Sequence, residues 1–169
     1  MIKNIVIEGP NNVGKTTLIE YLLELNEFKN WRVEHMTAES PNSFDFYDAT
    51  LRNCTRTIFD RHCIGETIYP VLRGADAGVT ADDIVKLVKT HTDTLFIFVT
   101  ADLTFISKAY VYKDEIPNWY YITDERRLFD VAYDALKENK HVILYENKWD
   151  DDTRDTPDLV KIIDELTGR

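Results

Sequence analysis

Ile2-Lys3-Asn4-Ile5-Val6-Ile7-Glu8-Gly9-Pro10-Asn11-Asn12-Val13-Gly14-Lys15-Thr16-Thr17 is the stretch on which the fold turns. Its opening run, Ile2 to Glu8, is mostly apolar, as expected of a central strand buried on both faces of a parallel sheet. Gly9 to Thr16 then satisfies G-x-x-x-x-G-K-[ST], and Leu18, Ile19, Leu22 and Leu23 follow at helical spacing. A strand, a glycine-bearing loop and a helix in that order aim backbone N–H groups at one point, where the helix dipole also favours an anion. Gly9 and Gly14 permit the loop conformations and the close approach. The motif makes Gly9, Asn12, Val13, Gly14, Lys15, Thr16 and Thr17 the expected cradle for the phosphates of ATP. Lys15 would reach the β- and γ-phosphates, and the Thr16 hydroxyl would bind Mg²⁺.

Working outward, β-rich runs recur at Trp31 to His35, Thr57 to Asp60, Thr94 to Val99 and Val142 to Tyr145. They alternate with helical patterns, the signature of a parallel α/β sheet covered on both faces. Ile84, Leu87 and Val88 form an apolar stripe after the candidate cap Thr80, and Leu128, Phe129, Ala132, Tyr133 and Leu136 form another after Thr123. Leu159, Ile162, Ile163 and Leu166 form a third after Thr156 and Pro157. Tyr110 to Tyr121, reading YVYKDEIPNWYY, has no clean period. It reads as a mobile excursion between two helices and a candidate lid over about residues 110–122, with an ordered aromatic surface loop as the alternative.

The chain has 169 residues, 44% of them hydrophobic, and neither repeat nor linker, so residues 1–169 are expected to form one domain. Thirty acidic against 20 basic residues give a net charge of −10, which argues against a surface that grips nucleic acid or anionic membrane. It leaves open a small phosphate-bearing ligand held by backbone amides and a few cations. The apolar part of the N-terminal run is too short for a signal peptide and no run of 18 apolar residues occurs, so a soluble, cytoplasmic protein is expected. Cys54 and Cys63, and His35, His62, His91 and His141, show no metal-ligand spacing.

A second chemical site is Phe59-Asp60-Arg61, at the end of a β run expected beside the first strand. There the aspartate would hold Mg²⁺ and the arginine would clamp phosphate, which makes Lys15, Asp60 and Arg61 the candidate catalytic residues. A buried structural Asp–Arg pair is the alternative.

With both motifs in hand, the chain resembles the thymidylate kinase-like branch of nucleoside and nucleotide kinases, in particular short phage- and prophage-encoded members. The resemblance rests on IVIEGPNNVGKTTL (5–18), FDRHCIGETIYPVLRG (59–74), a lid, and YENKWDDDTRDTPDLVKIIDEL (145–166). It implies a three-layer α/β/α fold with a five-stranded parallel sheet in the order 2-3-1-4-5, a cytoplasmic protein (the host's cytoplasm if phage-encoded) and, by analogy, a homodimer. It places Asp60 near the metal and Arg61 near the acceptor phosphate, with Asn11, Glu39, Phe44, Tyr47, Arg52 and Tyr69 around the acceptor. Lys108 and Lys113 become lid cations, joined by Arg126 and Arg127 on the following helix. Two departures stand out: Asn11 occupies a place where the family often has an acid, and residues 35–41 lack an arginine that helps hold the acceptor in many members.

The favoured activity is an ATP- and Mg²⁺-dependent (deoxy)nucleoside monophosphate kinase, whose anionic acceptor oxygen needs no general base. A deoxynucleoside kinase, with Glu39 as base, is the first alternative. Asn147-Lys148-Trp149-Asp150 matches the N-K-x-D pattern of guanine-nucleotide switches, although no D-x-x-G follows near Asp60. In kinase and switch alike, this loop would put Asn147 beside the nucleotide base. A kinase acting on DNA and an inactive nucleotide binder complete the set.

Overall fold

The computed structural model describes residues 2–37 and 40–147. In chain order the elements are β1 (Asn4–Glu8), α1 (Lys15–Glu24), β2 (Arg32–His35), α2 (Phe44–Asn53), β3 (Thr57–Asp60) and α3 (Gly65–Leu72). They continue with α4 (Ala81–Thr90), β4 (Thr94–Ala101), α5 (Leu103–Tyr112), α6 (Trp119–Leu136) and β5 (Val142–Asn147). The five strands form one sheet in the order β2-β3-β1-β4-β5, every neighbouring pair parallel. This is the expected strand order.

Strand periodicity divides the core in two. Ile5 and Ile7 of β1, with Leu95, Ile97 and Val99 of β4, face a cluster completed by Leu18 and Leu22 of α1 and Ile106 of α5. Val6, Phe59, Phe96 and Phe98 point the other way, into Tyr47, Ile68, Leu87 and Phe129 from α2, α3, α4 and α6. β1 sits in the middle and is buried at every position. Two of its polar side chains are accommodated by hydrogen bonds rather than by exposure: Asn4 Nδ2 donates to the carbonyls of Leu51 and Cys54, tying the end of α2 to the sheet, and Glu8 is described below. Because all strands run the same way, their C-terminal ends share one edge, where the residues that follow β1 and β3 and residues 36–37 after β2 meet.

Side-chain caps set several helix starts. Thr80 and Asp83 form a reciprocal capping box on α4, confirming the expected cap, while Ser43 and Asp102 cap α2 and α5. The segment expected to be an excursion between two helices is shorter than that: α5 runs through Tyr112, and α6 begins at Trp119 rather than after Thr123. Asn118, whose side chain accepts from the Tyr121 N–H, is the cap that starts α6. Only residues 113–118 connect the two helices. The C-terminal stripe from Leu159 to Leu166 lies outside the described residues.

Candidate active site

The phosphate loop joins β1 to α1. Gly9 has φ 150° and Gly14 φ 89°; a side chain at Gly9 would collide with the Val99 backbone, and one at Gly14 with the Asn147 side chain. Asn147, at the end of β5, donates through Nδ2 to the Val13 carbonyl and so braces the loop. Val13 is buried in the core, whereas Thr16 and Thr17 are exposed in the first turn of α1. Lys15 is only 7% exposed, and its ammonium donates to the carbonyls of Gly9 (2.8 Å) and Pro10. Burial, reinforced by the charge of Arg61, lowers its pKa to about 8. Its hydrogen bonds go to carbonyls, and the charges of Glu8, Asp60 and Glu125 offset only part of the cost of its burial.

Glu8 ends β1 immediately before this loop and is 1% exposed. Its Oε1 accepts from the backbone N–H groups of His62 (2.8 Å), Ile64 (2.9 Å) and Gly65 (3.3 Å), which fixes the turn between β3 and α3. Burial outweighs those three bonds and raises its pKa to about 7. Arg61 opens this turn at φ 67°, a left-handed conformation uncommon for a residue with a side chain, with its N–H bonded to the Ile7 carbonyl at 2.9 Å. The preceding Asp60 lies opposite His35 in the β2–β3 register and receives a 2.9 Å contact from His35 Nδ1.

Asn11 links the loop to the far side of the site. Its backbone N–H and Nδ2 both donate to Glu125 Oε1 of α6, at 3.0 and 2.8 Å, while its Oδ1 accepts from Arg61 Nη2 at 2.6 Å. The Arg61 guanidinium lies 5.1 Å from the centre of the Tyr69 ring. Glu125 is itself 1% exposed, and burial raises its pKa. Beyond Arg61 lies a cavity of about 350 Å³, lined by Asn11, Arg61 and His62, by His35 at the end of β2 with Met36 and Thr37 after it, by Gly65, Glu66 and Tyr69 of α3 and by Tyr121. Arg73, at the C-terminus of α3, contributes a second guanidinium to its wall.

Of the residues expected around the acceptor, Asn11, Arg61 and Tyr69 line this cavity, and Phe44, Tyr47 and Arg52 do not. Tyr47 is fully buried, with its ring 4.7 Å from that of His62, because the apolar face of α2 is spent on the core. Phe44 packs under the Lys86 ammonium, and Arg52 pairs with Asp48 one turn earlier in the helix. Glu39 lies outside the described residues, as do residues 148–150 of the N-K-x-D pattern. Lys113, the residue that ends α5, donates from Nζ to Asn12 Oδ1 in the phosphate loop, whereas Lys108 is an exposed α5 residue. Arg127 is exposed and faces Asp124 at 3.8 Å; Arg126 is half-buried on the same helix.

Sequence reasoning missed Glu8, Glu125, Glu66 and Arg73. Glu8 was detectable as a lone acid in an apolar strand, and Glu125 as a lone acid on the Ile122–Phe129 stripe of a helix whose start had been placed too late. Among the described residues no three His, Cys, Asp or Glu side chains cluster as a metal site, and no helix is long and apolar enough to cross a membrane.

No protein-family model matches the chain, and no curated protein matches it in sequence. Solved structures do match. The YorR protein from Bacillus subtilis, in complex with phosphorylated GDP, superposes with a TM-score of 0.72 at 17% identity, covering 98% of this chain and 95% of that one. Thymidylate kinase from Candida albicans gives 0.59 at 14% identity, covering 98% and 92%. Deoxyadenosine kinase from M. mycoides, with bound dATP, gives 0.57 at 13% identity, covering 98% and 99%. At these identities the likeness is one of fold, and it bears out the expected architecture: the chain has the five-stranded fold of the P-loop nucleotide and nucleoside kinases.

Proposed function

We propose that the chain transfers the γ-phosphoryl group of ATP, with Mg²⁺, to a nucleoside monophosphate. The observation that carries this reading is the cavity beside the phosphate loop, whose wall holds the two guanidinium groups of Arg61 and Arg73. Two guanidiniums suit an acceptor that brings its own phosphate, because a phosphate gives them charge-assisted hydrogen bonds that a neutral nucleoside does not.

The residues present fit the donor. The loop offers amides at the N-terminus of α1, and the buried Lys15 ammonium makes its hydrogen bonds to carbonyls that phosphate oxygens can replace. Thr16 and Asp60 are oxygen donors of the kind Mg²⁺ takes, on the first turn of α1 and the end of the adjacent β3. When bound, Mg²⁺ supplies neutralisation of phosphate charge. Lys15 exchanges the Gly9 and Pro10 carbonyls for phosphate oxygens. Arg61, held by Asn11 and Tyr69, orients the acceptor phosphate, while Asn12, Lys113 and Asn147 secure the loop. An acceptor phosphate oxygen forms the new O–P bond as the bond to the departing ADP breaks, yielding a nucleoside diphosphate. The acceptor oxygen is already anionic, so no side chain has to remove a proton. The same reading treats residues 1–169 as one catalytic domain, with Lys108 and Lys113 on its lid.

The test is transfer from γ-labelled ATP·Mg²⁺ to a panel of nucleosides, their monophosphates and short DNA, with products separated by charge. Label in a nucleoside diphosphate is the expected result. Label in a monophosphate or in DNA, or no transfer despite ATP binding, would overturn it.

A further inference from the structure

The cavity wall carries an acceptor as well as cations. Glu66, Tyr69 and Arg73 are spaced i, i+3 and i+7, so they share the face of α3 that lines the cavity. Among the described residues Glu66 makes no hydrogen bond or ion pair, although it is partly buried and feels the charges of Arg73 and Arg61. It is a carboxylate inside a binding cavity with its acceptor capacity unspent.

His62 lies in the same wall with its Nδ1 closed off from the cavity, so Glu66 is the acceptor a ligand meets there, and the tautomer of His62 follows from its neighbours. The Thr50 hydroxyl donates to the Tyr47 carbonyl at 2.8 Å, so at its 2.9 Å contact with His62 Nε2 it accepts. Nε2 therefore carries the proton, and Nδ1 is a bare lone pair. That Nδ1 is buried and has no hydrogen-bond partner among the described residues. Burial keeps the ring neutral, with a pKa lowered to about 3. A carboxylate with unfilled acceptor capacity in a cavity wall calls for a ligand edge that carries donors.

Among the nucleobases, guanine presents two donors side by side, N1–H and the 2-amino group, which a carboxylate receives together. Adenine and cytosine set an acceptor nitrogen beside their amino group, and thymine flanks its one N–H with carbonyls; each would bring a lone pair against the carboxylate. We infer that Glu66 is the residue that selects the acceptor base, and that the base it selects is guanine. The inference rests on the reading of this cavity as the acceptor site.

The experiment compares dGMP, dIMP, dAMP, dCMP and dTMP on the full chain, by kcat/KM with ATP·Mg²⁺ and by calorimetric binding. dIMP keeps N1–H and lacks the 2-amino group, so it tests one hydrogen bond without altering the protein. Expected are dGMP as the best acceptor, a loss of about 10- to 100-fold with dIMP, and a larger loss with dTMP. Glu66→Gln should erase most of the difference between dGMP and dIMP while leaving ATP binding unchanged. Equal turnover of dGMP and dIMP, preference for another base, or an unchanged ratio in Glu66→Gln would overturn the role of Glu66 and leave the kinase reading intact. Absence of transfer to every monophosphate would overturn the kinase reading instead; calorimetry would then decide on Glu66, with guanine-selective binding supporting the inference and unselective or absent binding ending it.

Discussion

The phosphate loop and the neighbouring cavity meet at Arg61, yet the loop comes from one continuous stretch of chain while the cavity is gathered from distant ones. The hydrogen bonds that anchor Asn11 to Glu125 span 114 positions. The loop is made of backbone, with its shape set by Gly9 and Gly14 and its single buried cation held by its own carbonyls. The cavity is made of side chains, each oriented by another: Glu125 holds Asn11, Asn11 holds Arg61, and Arg61 lies over Tyr69. A site of the first kind fails outright when its cation is lost; one of the second kind degrades in steps as successive supports are removed.

The largest effect belongs to the loop. Lys15→Ala should reduce turnover by about 10³-fold or more, because the ammonium acts on charge that develops in transfer. Its fold, read by circular dichroism and thermal melting, should survive, since the substitution removes a buried charge. Turnover near the wild-type level would break the distinction between the two sides at its stronger end.

Glu8 sits where the two sides join, and its test is thermodynamic. Its folded-state pKa of about 7 exceeds the ordinary 4.5, so the folded protein binds more protons than the unfolded chain between those values. The contribution is present below about pH 4.5 and is lost as pH rises through about 7, amounting to about 3 kcal/mol once ionisation is complete. Urea midpoints from pH 5 to 8 should fall in the wild type relative to Glu8→Gln. Lys15, lowered to about 8, acts in the opposite sense and at higher pH: its burial penalty is relieved as pH rises from about 8 toward 10.5. Parallel urea curves for wild type and Glu8→Gln would mean that Glu8 does not titrate in this window.

The smaller effect belongs to the cavity's second tier. Glu125→Ala removes the anchor of Asn11 and leaves Arg61 less constrained, so the KM for the acceptor should rise about 10- to 100-fold while ATP affinity stays the same. Equal loss on both substrates would show that Glu125 serves the loop as a whole and not the acceptor side.

The same local-versus-distant contrast explains what was legible in the sequence. The strands, the loop and the Asp60-Arg61 turn are written in short runs whose periodicity and glycines carry their meaning without partners, whereas the strand order is legible only through the family resemblance. The start of α6 is less legible, because the helix opens on Trp119-Tyr120-Tyr121, aromatics that do not announce a helix, and its signal is the cap Asn118. The resemblance points to Phe44 and Tyr47 on α2 for the acceptor base, but composition does not reveal which face of a helix meets the sheet. α2 turns Tyr47 into the core, and the α3 face carrying Glu66, Tyr69 and Arg73 lines the cavity instead. Those three residues lie inside the motif region already singled out, at a spacing that only becomes informative once Gly65–Leu72 is known to be helical.

The most direct test of the central claim, that the cavity beyond Arg61 receives an acceptor bearing its own phosphate, is a calorimetric titration of nucleoside and nucleoside monophosphate into wild type and Arg61→Ala. In the wild type the monophosphate should bind about 10- to 100-fold more tightly than its nucleoside, and Arg61→Ala should remove most of that margin without changing ATP binding. Equal affinity for nucleoside and monophosphate in the wild type, or a margin that survives Arg61→Ala and the Arg61→Ala/Arg73→Ala double variant, would contradict it.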